Sequence, residues 1–257
     1  MRRLAIYSII ERDGAAETGR LAEAFGVSSG TVARDIKDLH DSGLVQRVRG
    51  GAVRVTAPSA AGRVRAVRMV RALASLQRAS RAAVALEASA FIAEGSRIAL
   101  SGGPISLLVA HRAARTAGVC AITYSLAVAE GFRQYAGEGQ ALVLTGGVLD
   151  HDRNVHGALA ARNLRSVRVD VGFVEADGVD RAHGLSNLDG GAAELNRAIV
   201  MSAERVVFLA EHSAWGRAAG HRVATLDGTT LLVVDSLLAE PARRAVRDAG
   251  ARLVIAH

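Results

Sequence analysis

Residues 27–52 read VSSGTVARDIKDLHDSGLVQRVRGGA. Ser28 is a strong helix N-cap, and the stretch Ser29–His40 after it carries Val32, Ile36 and Leu39 at i, i+4 and i+7, the stripe of a helix buried on one side. Thr31, Arg34 and Lys37 fall on the other side. Asp41-Ser42-Gly43 ends the helix. Two short runs, Leu44–Val48 and Ala52–Val55, then flank Arg49-Gly50-Gly51, which is a hairpin signal. Upstream, Glu17–Phe25 reads as a shorter helix closed by Gly26, and Leu4, Ile6, Ile9 and Ile10 mark one face of another. Two helices separated by a tight turn, then a basic hairpin, predict a helix-turn-helix with a wing. Ser28, Ser29 and Thr31 suit phosphates, Arg34 and Lys37 suit base edges, and Arg47, Arg49 and Gly50 suit a hairpin lying along a duplex.

The charge distribution agrees. Residues 1–81 hold 15 Lys+Arg against 7 Asp+Glu, whereas residues 82–257 hold 17 against 18. The excess of positive charge is confined to the first third, which implies a polyanionic partner for that third alone. Only Lys37 among the cations is a lysine, so arginine over lysine at any one position carries little meaning. A single cysteine, Cys120, excludes an internal disulfide and fits a reducing compartment. The apolar start, Leu4–Ile10, is too short for a signal peptide and runs into Glu11-Arg12-Asp13. No run is long enough to span a bilayer. A cytoplasmic protein is expected.

Ala57-Pro58-Ser59-Ala60-Ala61-Gly62 is the best boundary. The division predicted is a DNA-binding head at 1–56, a linker at 57–75 and a larger domain at 76–257. Arg63, Arg65, Arg68, Arg71, Arg78 and Arg81 stud a long helix ending near Ala93, either touching DNA flanks or simply solvated. From Arg97 onward, seven apolar runs (97–100, 119–123, 141–145, 169–174, 205–209, 231–234, 252–255) alternate with helical patterns. That predicts an α/β domain with a mainly parallel sheet. In such sheets ligands sit where strands exit. The exits carry Ser101-Gly102-Gly103, Thr123-Tyr124, Gly146-Gly147, Glu175-Ala176-Asp177 and Glu211-His212-Ser213, which together describe one pocket.

With these residues assembled, the head resembles that of the DeoR family of bacterial transcriptional regulators. Val27, Ser28, Thr31, Arg34, Asp35, Leu39, Gly43, Arg47, Gly50, Gly51 and Ala52 match the family's pattern. Ala33 stands where the first of two arginines is usual. The order of the strand exits resembles the family's sensor domain, whose fold is similar to ribose-5-phosphate isomerase. The resemblance implies a sequence-specific repressor of carbohydrate-related genes, relieved by a small effector and acting as a dimer or tetramer on double-stranded DNA. Gly146-Gly147, His156-Gly157, Gly178-Val179-Asp180, Gly184-Leu185 and Glu194 keep the sensor pattern.

Several positions depart from it. The usual Asp-x-Gly-Thr-Thr is Ser101-Gly102-Gly103-Pro104-Ile105 here, Thr-Asn is Thr123-Tyr124, a glycine is replaced by Glu175, and Asp-x-Ser-Lys is Glu211-His212-Ser213-Ala214. Threonine donors and a cation are lost while an acid is gained. A phosphate dianion beside uncompensated carboxylates costs several kcal/mol. The effector expected is therefore a neutral sugar or polyol, or an amine paired with Glu175 or Asp177. The competing readings are a sensor domain that only oligomerises, a phosphate site rebuilt around Arg153, and a sugar-phosphate isomerase or deaminase using Glu175, Asp177, Glu211 or His212. No lysine lies near those four, so no enzyme is expected. His151, Asp152 and His156 match no standard zinc spacing. No metal or cofactor is expected.

Overall fold

The computed structural model describes residues 2–55 and 60–257. The chain divides into two units, Met1–Ala79 with Ala239–Ala242, and Ser80–Leu238 with Arg243–His257. Among the described residues no helix is long and apolar enough to cross a membrane.

The first unit begins with α1 (Arg2–Asp13), β1 (Ala15–Glu17), α2 (Thr18–Phe25) and α3 (Ser29–Asp41), followed by the hairpin β2 (Val45–Val48) and β3 (Gly51–Arg54). Ile6, Ile10, Leu21, Val32, Ile36, Leu39, Leu44 and Ala52 form its core. The short strand β1 escaped the sequence reading; it pairs antiparallel with β3 and completes a three-stranded sheet. The paired glycines of the wing serve different ends. Gly50 holds φ +84° in the turn, a conformation that favours glycine, whereas a Cβ on Gly51 would strike the backbone carbonyl of Ala16 on β1.

Helix α4 (Ala60–Ser89) follows. Residues 57–59 of the boundary read from the sequence lie outside the described residues, as do the side chains of Arg63, Arg65 and Arg68. Arg71 and Arg78 are exposed.

The second unit continues with β4 (Arg97–Leu100), α5 (Pro104–Ala113), β5 (Cys120–Thr123), α6 (Leu126–Tyr135) and β6 (Ala141–Leu144). A small ribbon, β7 (Val148–Leu149) and β8 (Val155–His156), leads to α7 (Ala158–Arg165) and β9 (Val169–Glu175). Then come β10 (Gly178–Asp180), β11 (Gly184–Asn187), α8 (Gly190–Ser202), β12 (Ala203–Ala210) and β13 (His221–Ala224). The chain ends with β14 (Leu231–Asp235), α9 (Glu240–Asp248) and β15 (Arg252–Ala256).

The seven strands expected from the apolar runs all lie in one sheet, ordered β15-β14-β12-β9-β4-β5-β6. Every pairing in it is parallel. Alternate residues face opposite layers. Ile98, Leu100, Phe173, Val207 and Leu209 pack with α4, α5 and α6, whereas Ala99, Val174 and Phe208 pack with α7 and α8. β10, β11 and β13 form a separate antiparallel sheet. Strand order reverses at β4: later strands run outward through β5 and β6 on one side, and through β9, β12 and β14 on the other. A crevice opens at the carboxyl end of such a switch point. Here it is bounded by Ser101 after β4 and Glu175 at the end of β9.

Candidate functional site

The head presents a polar face built on α3. Ser28 caps the helix: its Oγ accepts from the Thr31 N–H at 3.2 Å and lies 2.9 Å from Thr31 Oγ1. These two hydroxyls therefore serve the helix terminus as well as any phosphate. Ser28→Ala is expected to cost the head about 1 kcal/mol, read as a lowered unfolding midpoint.

Ion pairing sorts the cations. Arg2 binds Asp35 at 2.5 Å, Arg3 binds Asp38 at 3.0 Å, Arg12 binds Asp13, Arg20 lies 3.5 Å from Glu17, and Lys37 lies 3.8 Å from Asp41. Arg34, Arg47 and Arg49 are exposed and, among the described residues, have no carboxylate partner. The uncompensated charge of the head therefore gathers on α3 and the wing, alongside exposed Ser29 and Gly50. Asp35 is only 8% exposed and faces the α1 arginines, so its role is to tie α1 to α3. Asp35→Asn should lower stability by about 1 kcal/mol without removing a DNA contact, which thermal unfolding and a DNA titration would show together.

At the sensor crevice, α5 begins immediately after Gly103, and its first N–H groups are not left open. Glu175 Oε2 accepts from the N–H groups of Ile105 at 3.0 Å and Ser106 at 3.1 Å. The carboxylate thus sits where the N-terminus of a helix attracts an anion. Ser101 Oγ accepts from the Glu175 N–H at 2.9 Å and lies 2.8 Å from Ser106 Oγ, which locks β9 to the loop. Gly103 has φ +122°, and a Cβ there would collide with the Glu175 carboxylate. Burial pushes the Glu175 carboxyl up to about 7; the Ser106 and Ile105 N–H groups and Arg81 oppose this, and Glu211 reinforces it.

Tyr124 fills the rest of the loop. It is 1% exposed; its hydroxyl accepts from the Gly102 N–H and donates to Asn196 Oδ1 at 2.9 Å. Burial raises its pKa, the Gly102 bond opposes, and repulsion from Glu175, Asp177 and Asp189 adds to it. Asn196 donates in turn to Asn187 Oδ1, and Asn187 donates to Asp177 Oδ2 and to the Glu175 carbonyl. Asp177 Oδ2 also accepts from the Leu188 N–H. Asn154, on the β7–β8 ribbon, approaches Gly102 so closely that a Cβ there would come within 2.7 Å of its Oδ1. Thr123 is buried and its Oγ1 accepts from the Ser125 N–H.

The structure thus brings Ser101, Gly102, Gly103, Tyr124, Glu175 and Asp177 together, with Thr123 just beneath. It does not bring the others. Glu194 points across α8 to Arg165 of α7, 3.6 Å away; Asn196, two residues on, occupies the side facing the crevice. Gly146 and Gly147 follow β6, two strands from β4, and Gly147 packs against the His156 backbone. Glu211 is bound by Arg81 of α4 at 2.5 Å, so Arg81 is neither a free flank contact nor merely solvated. Arg153 is paired with Glu130. His212 bonds the buried Asp235 through both ring and backbone N–H, and these bonds outweigh burial to hold that carboxyl below its usual range. His156 is paired with Asp150, and among the described residues no three ligating side chains are placed to hold a metal ion.

Asn154, Asn187, Asn196 and Arg81 were missed from the sequence. Only Asn196 left a signal: it interrupts the buried stripe Ala193, Ile199, Ser202 at a spacing of three, and a polar residue there requires a partner.

Residues 2–57 match the sequence profile of the DeoR-like helix-turn-helix domain, and residues 76–236 that of the DeoR C terminal sensor domain. The transcriptional repressor AccR of Agrobacterium fabrum is 30% identical, over 91% of this chain and 89% of its own. A putative aga operon transcriptional repressor of Escherichia coli O157:H7 is 26% identical over 99% and 93%. Among solved structures, ribose 5-phosphate isomerase A of Methanocaldococcus jannaschii overlaps 52% of this chain and 53% of its own at 21% identity, with a TM-score of 0.39. With both of its domains matched in order, the chain belongs to the DeoR family of helix-turn-helix transcriptional regulators.

Proposed function

We propose that this regulator is a repressor whose effector is not held through a phosphate at the α5 terminus. The observation that carries the second part is the Glu175 carboxylate bonded to the Ile105 and Ser106 N–H groups. A tethered carboxyl group occupies the position that a phosphate needs, Tyr124 takes the Gly102 N–H, and Asp177 and Asp189 stand near the same phenol. A phosphate dianion would have to displace one carboxylate and sit among the others, at a cost of several kcal/mol. An uncharged sugar or polyol, or one bearing an amine, meets amides and carboxylates instead.

In this reading residues 1–56 bind duplex DNA, 57–75 connect, and 76–257 sense the effector and join copies. Ser29, Thr31, Arg34, Lys37, Arg47, Arg49 and Gly50 face the duplex, with α3 in the major groove. The repressor names of the two relatives support the sign of regulation. We read the crevice as a binding site and not a catalytic one, supported by the repressor relatives and by carboxylates already engaged by N–H groups, Arg81 or an asparagine.

Selection of bound duplexes from a random pool, followed by release with matched sugars and sugar phosphates, tests this directly. The expected result is enrichment of repeated half-sites and release by an unphosphorylated compound. Release only by a phosphorylated one would reject the effector class; no enrichment would reject the DNA reading.

A further inference from the structure

We infer that the outer edge of β6, with the adjoining β7 ribbon, is where a second copy of this chain docks, strand against strand about a two-fold axis. Ten large hydrophobic side chains are exposed among the described residues, and five of them fall within residues 143–159: Val143 and Leu144 on β6, Val148 and Leu149 on β7, and Leu159 in the first turn of α7. They adjoin in space as well as in sequence: Val148 and Leu149 are β7, two glycines after β6, and Leu159 Cδ2 lies 3.9 Å from the Cβ position of Gly146.

β6 is the last strand of the seven-stranded sheet, so one row of its backbone N–H and C=O groups is unpaired within the sheet. Lone edge strands are normally blunted by lysine, proline or inward charge. Nothing of the kind is present here, and residues 139–149 contain no charged side chain.

The occupant follows from these features. From their fractional exposures, the five side chains leave about 400 Å² of apolar surface open, near the apolar share of the roughly 800 Å² that a stable interface buries on each partner. An uncharged strand is self-complementary in antiparallel pairing, because no side chain meets its own charge across the axis. Two-fold pairing would also give the multi-copy regulator proposed above its pair of heads, and the assignment rests on that reading only for its purpose.

Sedimentation of the full chain from 5 to 100 µM tests it without reference to DNA, so failure of the DNA reading leaves this result standing. Wild type is expected to be a dimer or an even multiple. Val143→Lys and Leu149→Lys, with unchanged circular dichroism, should weaken association at least 100-fold. Met201→Lys, at a residue 74% exposed on α8, should leave it intact. Should the lysine variants fail to fold, single cysteines at 142, 143 and 144 in a Cys120→Ser chain decide the matter. A two-fold axis through antiparallel strands sets one residue opposite itself, at a Cα separation that permits a disulfide. One of the three should therefore cross-link strongly. A monomeric wild type, association that survives both lysines, or no cross-link at any of the three positions would overturn the assignment.

Discussion

Glu175→Gln is expected to remove a pH dependence of up to about 3 kcal/mol from the stability of the protein. The Glu175 carboxyl is raised from about 4.5 to about 7 by burial, against the pull of the Ser106 and Ile105 N–H groups and Arg81. A group whose pKa is higher folded than unfolded binds its proton more tightly in the native state. Its contribution is therefore complete below about pH 4.5 and is lost as pH rises through about 7. Wild type should lose stability across that window. Glutamine keeps an oxygen to accept from Ile105 and Ser106 but cannot ionise, so the variant should lack this loss and be more stable than wild type at pH 8; the opposite trend from His111, held below its usual range by burial and Arg115, is common to both proteins. Asp235, whose carboxyl is lowered, changes stability only on the acid side of this window. Thermal unfolding at half-unit steps from pH 4.5 to 8.5 checks this; equal slopes for variant and wild type would mean that Glu175 is not the buried acid described.

Arg34→Ala is expected to weaken binding to the selected duplex by about 1–3 kcal/mol and to relax preference at one base position. Arg34 is the unpaired cation of α3, so its loss is not masked by an internal ion pair. Arg47→Ala on the wing should instead weaken binding evenly across sequences and reduce the salt slope by about 1. Arg20→Ala serves as the contrast: Arg20, on α2, lies 3.5 Å from Glu17 at the end of β1, and its loss should change neither quantity. Anisotropy titrations at several salt concentrations separate the three. Equal effects from Arg34 and Arg20 would place the duplex on a different face.

How much of this was legible depended on the physics at each place. The seven parallel strands could be read because a strand covered on both faces is a continuous apolar run, and the α3 stripe because one-sided burial leaves a period. β1 and β13 are short strands held by partners distant in sequence, β3 and β11, whereas β7–β8 and β10–β11 pair locally but are too short to show an alternation. Nothing local marks them. The crevice was found because strand exits define it, yet its wiring was not. Glu175 stood out as an acid in an odd place, but only the fold shows it turned onto the α5 terminus instead of toward a ligand. Glu194 matched a pattern and still lies on the wrong side of α8. Arg81 was one arginine among six on a helix, and periodicity alone could not say which would meet Glu211.

In the proposed reading the protein itself fills the anion cradle at Gly103–Ser106 with the Glu175 side chain. Thermal unfolding of the full chain, wild type and Glu175→Ala, against matched sugars and sugar phosphates tests it most directly. A compound at 100 times its dissociation constant adds about 2.7 kcal/mol. Wild type is expected to be stabilised only by unphosphorylated or amine-bearing compounds, and Glu175→Ala to gain a response to phosphorylated ones. Stabilisation of wild type by a phosphorylated sugar but not by its unphosphorylated partner would contradict that reading.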